Sequence, residues 1–308
     1  MKRIRLLLLA LAVAAGASGF GAVASGRLEQ VERFHSQFVD ERAISVWLPD
    51  GFSAAKKYAV LYMHDGQMLF DAAATWNHQE WGVDETMGAL LATARIRDCI
   101  VVGVANIAAK RHAEYFPQRV FEAIAASPRE RLTAQQLHSE PLADRYLKFL
   151  VTELKPYIDA HYPTVAGPGG TFVMGSSMGG LISLYAICEY PGVFGGAACL
   201  STHTPLASFE LIDAHTDADI ASKLRDYLRE HLPAPGLHRI YFDYGTGELD
   251  RYYPPYQQKL DDVMRAKGYT AANWVTREFP GEPHSEVAWS KRLRIPLLFL
   301  LGQEEARP

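Results

Sequence analysis

The sequence feature that most constrains this chain is the pentapeptide at 175–179, Gly-Ser-Ser-Met-Gly, which follows the apolar run at 171–174. Glycine-x-serine-x-glycine after a strand is typical of a sharp strand-to-helix turn that exposes a serine hydroxyl. In so tight a turn, the residues two before and two after the serine almost touch, so side chains there would clash. Only Ser177 has glycine at both positions, because Ser176 has methionine at both. Ser177 is therefore the candidate nucleophile.

Dense apolar runs alternate with amphipathic segments along the rest of the chain. This pattern indicates repeated βα units and a mostly parallel sheet with helices on both faces. We expect strands at 42–48, 58–63, 99–104, 171–174, 195–200, 238–244 and 273–279. We expect helices at about 84–93, 142–161, 181–189, 217–231, 254–267 and 285–301. With the turn around Ser177, this order predicts an α/β-hydrolase fold.

Residues 106–141 interrupt the alternation. The segment is polar, contains Pro117, Pro128 and Pro141, and shows no steady period. Such a long excursion inside a compact domain is more typical of a loop that covers a site than of a linker, because regular elements resume on both sides. We therefore expect a long loop near the site.

A serine hydroxyl is a weak nucleophile at neutral pH, so it needs a neighbouring base, and the base needs an orienting acid. In α/β-hydrolases the acid and then the histidine follow the serine, each in a loop after a later strand. Four histidines lie beyond residue 204, and only His284 is in a loop directly after a predicted strand. His284 is therefore the candidate base.

The loop after the strand predicted at 238–244 contains two carboxylates, Glu248 and Asp250. Glu248 is nearer the strand end, whereas Asp250 has the shorter side chain, which holds an imidazole more rigidly. We favour Asp250 as the orienting acid and keep Glu248 as the alternative. Asp243, within the strand itself, is interpreted as a structural residue.

The developing oxyanion needs two backbone N–H donors. The amide of Met178, directly after the nucleophile and at a helix N-terminus, is one candidate. The second donor comes from the loop after the third strand in this fold. That loop contains Asp65-Gly66-Gln67, where the glycine permits an inward turn, so the amide of Gln67 is the other candidate. His64, beside this turn, is interpreted as a scaffold residue rather than a second base.

The first 24 residues have the pattern of a signal peptide. Lys2, Arg3 and Arg5 precede an apolar region at 6–15, and 22–24 form a small-x-small cleavage site, with a cut after Ala17 as the alternative. The apolar region is shorter than the ~20 residues that span a bilayer. We expect an exported chain, periplasmic or secreted, without a membrane anchor after cleavage. Residues 25–308 would then form a single α/β-hydrolase domain.

The charge balance and the cysteines narrow the class of protein further. Loss of three basic residues with the signal peptide takes the formal net charge from −4 to −7, which argues against nucleic acid or an anionic membrane as partner. Cys99, Cys188 and Cys199 lie in predicted strands or a helix rather than at disulfide-framework spacings, which favours buried free thiols. A bridge between Cys188 and Cys199 is the alternative.

These motifs and several others resemble the Putative esterase family, which includes esterase D, enterochelin esterases, feruloyl and acetyl-xylan esterases, and mycolyltransferases. The resemblance covers about residues 35–300, with the motifs in the expected order. The matching motifs are His64-Asp65-Gly66-Gln67-Met68-Leu69-Phe70-Asp71, Trp76 with Glu80-Trp81, Arg111-x-x-Glu114-Tyr115, the 175–180 elbow, Gly245-Thr246 with Leu249-Asp250, and Pro280-Gly-x-x-His284-x-x-x-x-Trp289.

The resemblance implies a serine carboxylic-ester hydrolase with a Ser-His-acid triad, an acyl-enzyme intermediate, and no metal or other cofactor. It implies a second oxyanion donor at Gln67 and raises Trp81 and Arg111 as substrate-binding residues. For Arg111, a surface ion pair with Glu114 is an equally weighted interpretation. The expected substrate is a small-molecule or glycan-linked ester.

Two alternatives to ester hydrolysis stay open. The same acyl-enzyme can pass its acyl group to an alcohol when water is excluded, which would make the protein an acyltransferase. A non-catalytic binding or scaffold protein on a hydrolase fold is the other alternative, because fold alone does not give function. The sequence contains no feature that selects the acyl group.

Overall fold

Eight strands form one sheet in the computed structural model, which describes residues 23–208 and 216–303. The signal peptide predicted at 1–24 lies almost wholly outside the described residues. The strands are β1 (Arg27–Phe34), β2 (Arg42–Leu48), β3 (Ala59–His64), β4 (Cys99–Val104), β5 (Thr171–Ser176), β6 (Gly196–Leu200), β7 (Arg239–Gly245) and β8 (Trp274–Phe279).

The spatial order of the strands is β1-β2-β4-β3-β5-β6-β7-β8. The first two pairings, β1 with β2 and β2 with β4, are antiparallel. Every later pairing is parallel, so the carboxyl ends of β3 to β8 meet at one edge. Loops that leave this edge are the usual place for a site in such sheets.

Helices cover both faces of the sheet. The helices are α1 (Val83–Ala92), α2 (Arg111–Tyr115), α3 (Gln118–Glu122), α4 (Ala126–Leu132), α5 (Ala143–Phe149), α6 (Lys155–His161), α7 (Met178–Glu189), α8 (Thr216–His231), α9 (Pro254–Ala266), α10 (Glu286–Arg292) and α11 (Arg294–Leu301). Alternate residues of a strand face opposite sides, so Leu61 and Met63 pack with α1, α10 and α11. Val60 and Tyr62 pack with most of the remaining helices. The α/β-hydrolase arrangement predicted from sequence is confirmed.

The segment at 106–141 is largely helical rather than a long loop, which corrects the expectation. It contains α2, α3, α4 and a π-helical turn at Thr133–Leu137. Its apolar side chains, including Phe116, Phe121 and Leu132, are buried in the core. Each of these helices is at most seven residues long, too short to show a clear 3.6-residue period. The segment is therefore part of the packed domain.

The other differences from the sequence expectations are smaller. Strand β1 was not predicted, and the helix expected at 285–301 divides into α10 and α11. The helix expected at 142–161 contains a π-helical turn, Leu150–Leu154, between α5 and α6. Each predicted strand matches an observed one within two residues at the ends, the usual scatter.

Cys99, Cys188 and Cys199 are buried free thiols, as predicted, and none forms a disulfide. Among the described residues, no helix combines the length and apolarity that crossing a bilayer requires.

Candidate active site

Ser177 occupies a strained turn between β5 and α7. Its backbone has φ 57° and ψ −121°, a conformation that a residue with a side chain adopts only when the surrounding structure imposes it. The Ser177 amide donates to the carbonyl of Leu200 at 2.9 Å, which ties the turn to the end of β6. A Cβ atom on Gly175 would lie 2.6 Å from the backbone of Gly179. The expected close approach of the two glycines is confirmed.

The loops after β7 and β8 bring Asp250 and His284 together. The two atoms joined are Asp250 Oδ1 and His284 Nδ1, 2.5 Å apart. Asp250 lies in a short 3₁₀ turn, Glu248–Tyr252, and is completely buried. Its other oxygen, Oδ2, accepts hydrogen bonds from the Ser201 hydroxyl at 2.5 Å and from the Gly245 amide at 2.7 Å. The carboxylate is therefore held from both sides.

These contacts determine the charge state of Asp250. Burial by itself would raise the pKa of this carboxyl, but the hydrogen bonds from His284, Ser201 and Gly245 outweigh burial and hold the pKa below its ordinary value. Glu248, the alternative acid, is exposed at the pocket rim with φ 45°. The geometry therefore pairs His284 with Asp250 rather than with Glu248.

Ser201 is a site residue that the sequence analysis missed. Besides its bond to Asp250, its hydroxyl oxygen accepts from Trp289 Nε1 at 3.0 Å and from an Arg292 terminal nitrogen at 2.9 Å. Arg292 also pairs with Asp243 at 2.9 Å, within a buried pair. Asp243 is thus structural, as interpreted from sequence. No local pattern identifies Ser201, because it meets Asp250 only through the pairing of β6 and β7.

Ser177 and His284 line the same cleft, a cavity of about 660 Å³. The cleft is lined by Asp65, Gln67, Met68, Trp76, Asn77, Gln79, Trp81, Asn106, Ala108, Arg111, Ser176, Ser177, Glu248, His284, Ser285, Glu286 and Trp289. Trp76 is 82% exposed and stands at its rim. Trp81 is buried against Trp289, with 5.5 Å between the ring centroids. The predicted nucleophile, base and pocket tryptophan therefore share one cavity.

Of the two predicted oxyanion donors, Gln67 lines this cleft and Met178 directly follows Ser177, which lines it. Met178 begins α7, and the first amides of a helix have no carbonyl partner within the helix. Gln67 lies in a single 3₁₀ turn, Gly66–Met68, after β3. Asp65 is the residue in left-handed conformation there, with φ 56° and ψ 45°. Gly66 serves a different purpose from the one expected, since its Cβ would lie 2.5 Å from the backbone of β4.

Arg111 does not pair with Glu114, which corrects one of the two interpretations. Arg111 Nε and its terminal nitrogen donate to Asp65 Oδ1 and Oδ2, each at 2.8 Å. Glu114 instead forms a buried bidentate pair with Arg42. Arg111 still lines the cleft.

Two buried histidines flank the site. His64 Nδ1 is 2.8 Å from the Tyr146 hydroxyl, and burial lowers the pKa of His64 to about 4. His203 Nδ1 is 3.0 Å from the Tyr253 hydroxyl, and burial, with His284 nearby, lowers the pKa of His203 to about 3. Both rings are therefore neutral at pH 7, and each lies within hydrogen-bond distance of a buried tyrosine hydroxyl. This arrangement agrees with the scaffold interpretation of His64.

The mostly parallel sheet, the serine at the strand-to-helix turn and the histidine–aspartate pair define an α/β hydrolase. A sequence model of the Putative esterase family matches residues 36–299. The chain therefore belongs to this family and is a carboxylic ester hydrolase.

Individual relatives are distant. An uncharacterised protein of Bacillus subtilis (strain 168), YbbA, is 22% identical over 272 residues, covering 86% of this chain and 94% of its own. A ferulic acid esterase from Anaeromyces mucronatus, solved in complex with ferulic acid, has a TM-score of 0.60 at 18% identity, over 92% of this chain and 93% of its own. The enterobactin esterase FES from Shigella flexneri has a TM-score of 0.62 at 16% identity, over 90% of this chain and 59% of its own. At these identities the two structures show the shared fold alone.

Proposed function

We propose that this protein is a serine esterase in which Ser177, His284 and Asp250 form the catalytic triad. The observation that carries the proposal is the hydrogen bond between Asp250 and His284 in the cleft that Ser177 also lines. Asp250 occupies Nδ1 of the imidazole, so Nε2 is the nitrogen left to accept the serine proton.

The reaction then follows the acyl-enzyme route. Ser177 Oγ attacks the ester carbonyl carbon while its proton passes to His284 Nε2, and the amides of Met178 and Gln67 stabilise the oxyanion. The C–O bond to the alcohol breaks, and His284 returns the proton to the departing oxygen. Water attacks the acyl-enzyme by the same steps in the second half, which releases the acid and restores the Ser177 hydroxyl.

The cleft supports hydrolysis over acyl transfer. Trp76 at the rim is 82% exposed, so the cleft opens to solvent and water can reach the acyl-enzyme. Its lining contains carboxamides and the carboxylates of Glu248 and Glu286, while Arg111 in it is paired with Asp65. These groups suit neutral, hydroxyl-bearing small-molecule or glycan-linked esters better than anionic ones. The solved relatives are described as acting on ferulic acid and enterobactin esters, which supports a small-molecule ester.

Substitution of the nucleophile tests the proposal. Ser177→Ala should lower kcat on a chromogenic short-chain ester by at least ~10³-fold, whereas Ser176→Ala, the adjacent serine, should stay within tenfold of wild type. Comparable activity in the two variants would exclude Ser177 as the nucleophile. Product analysis with an added acceptor alcohol separates hydrolysis from transfer, since a transferase would form mainly the new ester.

A fluorophosphonate probe distinguishes an enzyme from a non-catalytic scaffold. Folded wild-type protein should be labelled at Ser177, and Ser177→Ala should not be labelled. Absence of labelling in folded wild-type protein would favour the scaffold.

We also propose that the protein is exported, on the basis of the basic and apolar segments at its N-terminus. Expression of the full chain in an export-competent host should give a product whose N-terminal residue is Ser25. A product that keeps Met1 and stays in the cytoplasm would contradict export, without bearing on the esterase activity.

A further inference from the structure

The carboxylate of Asp65 joins three parts of the site that are distant in sequence. Arg111, from α2, donates two hydrogen bonds to it, one to each oxygen at 2.8 Å. Asn106, after β4, donates from Nδ2 to Oδ1 at 2.6 Å. On the other side, the carboxylate lies against α7, since a Cβ atom on Gly179 would be 3.3 Å from Asp65 Oδ2. Asp65, Asn106 and Arg111 are called the Asp65 clamp below.

The loop of Asp65, Gly66 and Gln67 needs stabilising contacts from outside because its backbone conformation is unfavourable. Asp65 is left-handed at φ 56°, which costs on the order of 1–3 kcal/mol for a residue with a side chain and persists only when its surroundings impose it. Gly66 is pressed against β4, with no space for a side chain. The loop position therefore depends on contacts from outside the loop.

The segment that contains Asn106 and Arg111 also contacts Gln67 and the backbone of Asp65. The Asn106 amide donates to Gln67 Oε1 at 3.1 Å. The Asp65 amide donates to the Tyr115 hydroxyl at 3.4 Å, and Tyr115 lies on α2 beside Arg111. Contacts to both the side chains and the backbone of the loop thus come from residues 106–115.

The pair of Arg111 and Asp65 also has an electrostatic role. The two side chains are 23% and 11% exposed, so neither is well solvated. Burial would raise the pKa of Asp65, but Arg111 and Asn106 hold that pKa below its ordinary value, so the carboxylate stays charged. Without Arg111, an uncompensated negative charge would lie in the cleft where the oxyanion forms, and like charges repel.

We infer that Arg111 is a positioning residue for the oxyanion hole: through the Asp65 clamp it holds the Gln67 amide in place and neutralises Asp65, rather than binding substrate directly. The inference rests on the proposed function, because it assigns Gln67 as an oxyanion donor. Arg111 acts through Asp65, so its loss should weaken binding of the transition state more than binding of the ester.

The test compares Arg111→Gln with Lys110→Gln, the neighbouring residue in a half-exposed pair with Asp40. Arg111→Gln should lower kcat/KM by about 10- to 100-fold, mainly through kcat, which is less than the roughly 10²- to 10³-fold lost when an oxyanion donor is removed outright. Lys110→Gln should stay at the wild-type value. Thermal unfolding of each variant shows whether it is folded, and Arg111→Lys, which keeps the charge but not the bidentate pairing, should lose less than Arg111→Gln.

Two inhibitors separate positioning from substrate binding. A trifluoromethyl ketone analogue of the ester forms a tetrahedral oxyanion on serine, whereas the matching amide resembles the ground state. The Ki of the ketone should rise with the loss in kcat/KM in Arg111→Gln, and the Ki of the amide should not. An equal rise for both inhibitors would make Arg111 a substrate-binding residue and overturn the inference.

Charge compensation provides a rescue. In the double variant Asp65→Asn with Arg111→Gln, the uncompensated carboxylate is gone, so kcat/KM should recover at least about threefold over Arg111→Gln alone. If kcat/KM did not recover in the double variant, Arg111 would have no electrostatic role. If wild type itself lacked esterase activity, or Ser177→Ala retained it, the proposed function would fail. A wild-type rate in Arg111→Gln, with Ser177→Ala inactive, would overturn the positioning role of Arg111 and leave the proposed function intact.

Discussion

Ser201 and His284 hold opposite oxygens of one carboxylate: Ser201 Oγ is 2.5 Å from Asp250 Oδ2, and His284 Nδ1 is 2.5 Å from Oδ1. The acid is therefore oriented by a side chain from the end of β6, which also accepts hydrogen bonds from Trp289 and Arg292. Through this hydroxyl, the carboxylate is fixed to α10 as well as to its own loop.

We expect Ser201→Ala to lower both stability and activity. The change removes a buried hydrogen bond to a charged group, which contributes about 1.5–3 kcal/mol. It also loosens Asp250, so kcat should fall by roughly tenfold. Urea unfolding and steady-state kinetics measure the two effects. Ser183→Ala is the matched control, because that buried hydroxyl donates within α7, to the Gly179 carbonyl. Equal kcat values in the two variants would contradict this role of Ser201.

The two carboxylates of the 245–250 loop should differ sharply on substitution. Asp250→Asn leaves the shape of the site intact but favours the wrong imidazole tautomer, which lowers kcat on the order of 10⁴-fold in a triad of this kind. Glu248→Gln, at the exposed rim, should lower it by less than tenfold. Single-turnover kinetics with a chromogenic ester measure both. The assignment of the acid would have to be reversed if Glu248→Gln were the more damaged variant.

Glycines of the tight turn at 175–179 should tolerate substitution by alanine less well than glycines elsewhere. Gly175→Ala places a methyl group 2.6 Å from the backbone of Gly179, so the turn must open, at a cost of about 3 kcal/mol of unfolding free energy. Gly192→Ala meets nothing within 4 Å and should change stability by no more than about 1 kcal/mol. Chemical unfolding of the two purified variants measures the difference, and similar stabilities would show that the turn tolerates a side chain.

Stability should fall as the pH drops below 6.5. His64 and His203 have pKa values of about 4 and about 3 in the folded protein, against an ordinary value of 6.5. Between pH 6.5 and 4 the unfolded chain therefore binds more protons than the folded one, which shifts the equilibrium toward unfolding. Above pH 6.5 both rings are neutral in either state and the effect vanishes.

Each buried histidine should contribute about 2 kcal/mol to the loss between pH 6.5 and 4.5. The unfolding free energy, measured in urea at several pH values, should show this decline. His64→Gln removes one of the two groups, so its decline should be visibly shallower. Parallel curves for wild type and variant would show that His64 is protonated equally in both states.

Local sequence patterns predicted much of the fold and singled out Ser177, His284 and Asp250, the residues of the proposed triad. The central strands are dense apolar runs, and the elbow is recognisable because the glycine spacing reflects a contact within five residues. Strand β1 was missed because it is a polar edge strand, Arg27–Phe34, with no buried residue. The helices in 106–141 were missed because each is too short to show a period.

Ser201 and the partner of Arg111 could not be predicted, for a different reason. Ser201 reaches Asp250 across 49 residues of sequence, and Arg111 reaches Asp65 across 46. Such pairs depend on the order of strands in the sheet, which a single sequence does not contain. Glu114 was the local partner considered for Arg111, but Glu114 forms a buried ion pair with Arg42 instead.

The three free cysteines give the folded protein a chemical reporter. Their side chains are at most 7% exposed, and burial raises the pKa of each thiol, so the reactive thiolate is scarce in the native state. They lie in β4, α7 and β6, within the buried core. A thiol reagent can therefore modify these cysteines only when the core opens. The rate of modification then reports how often the domain opens, and no introduced label is needed.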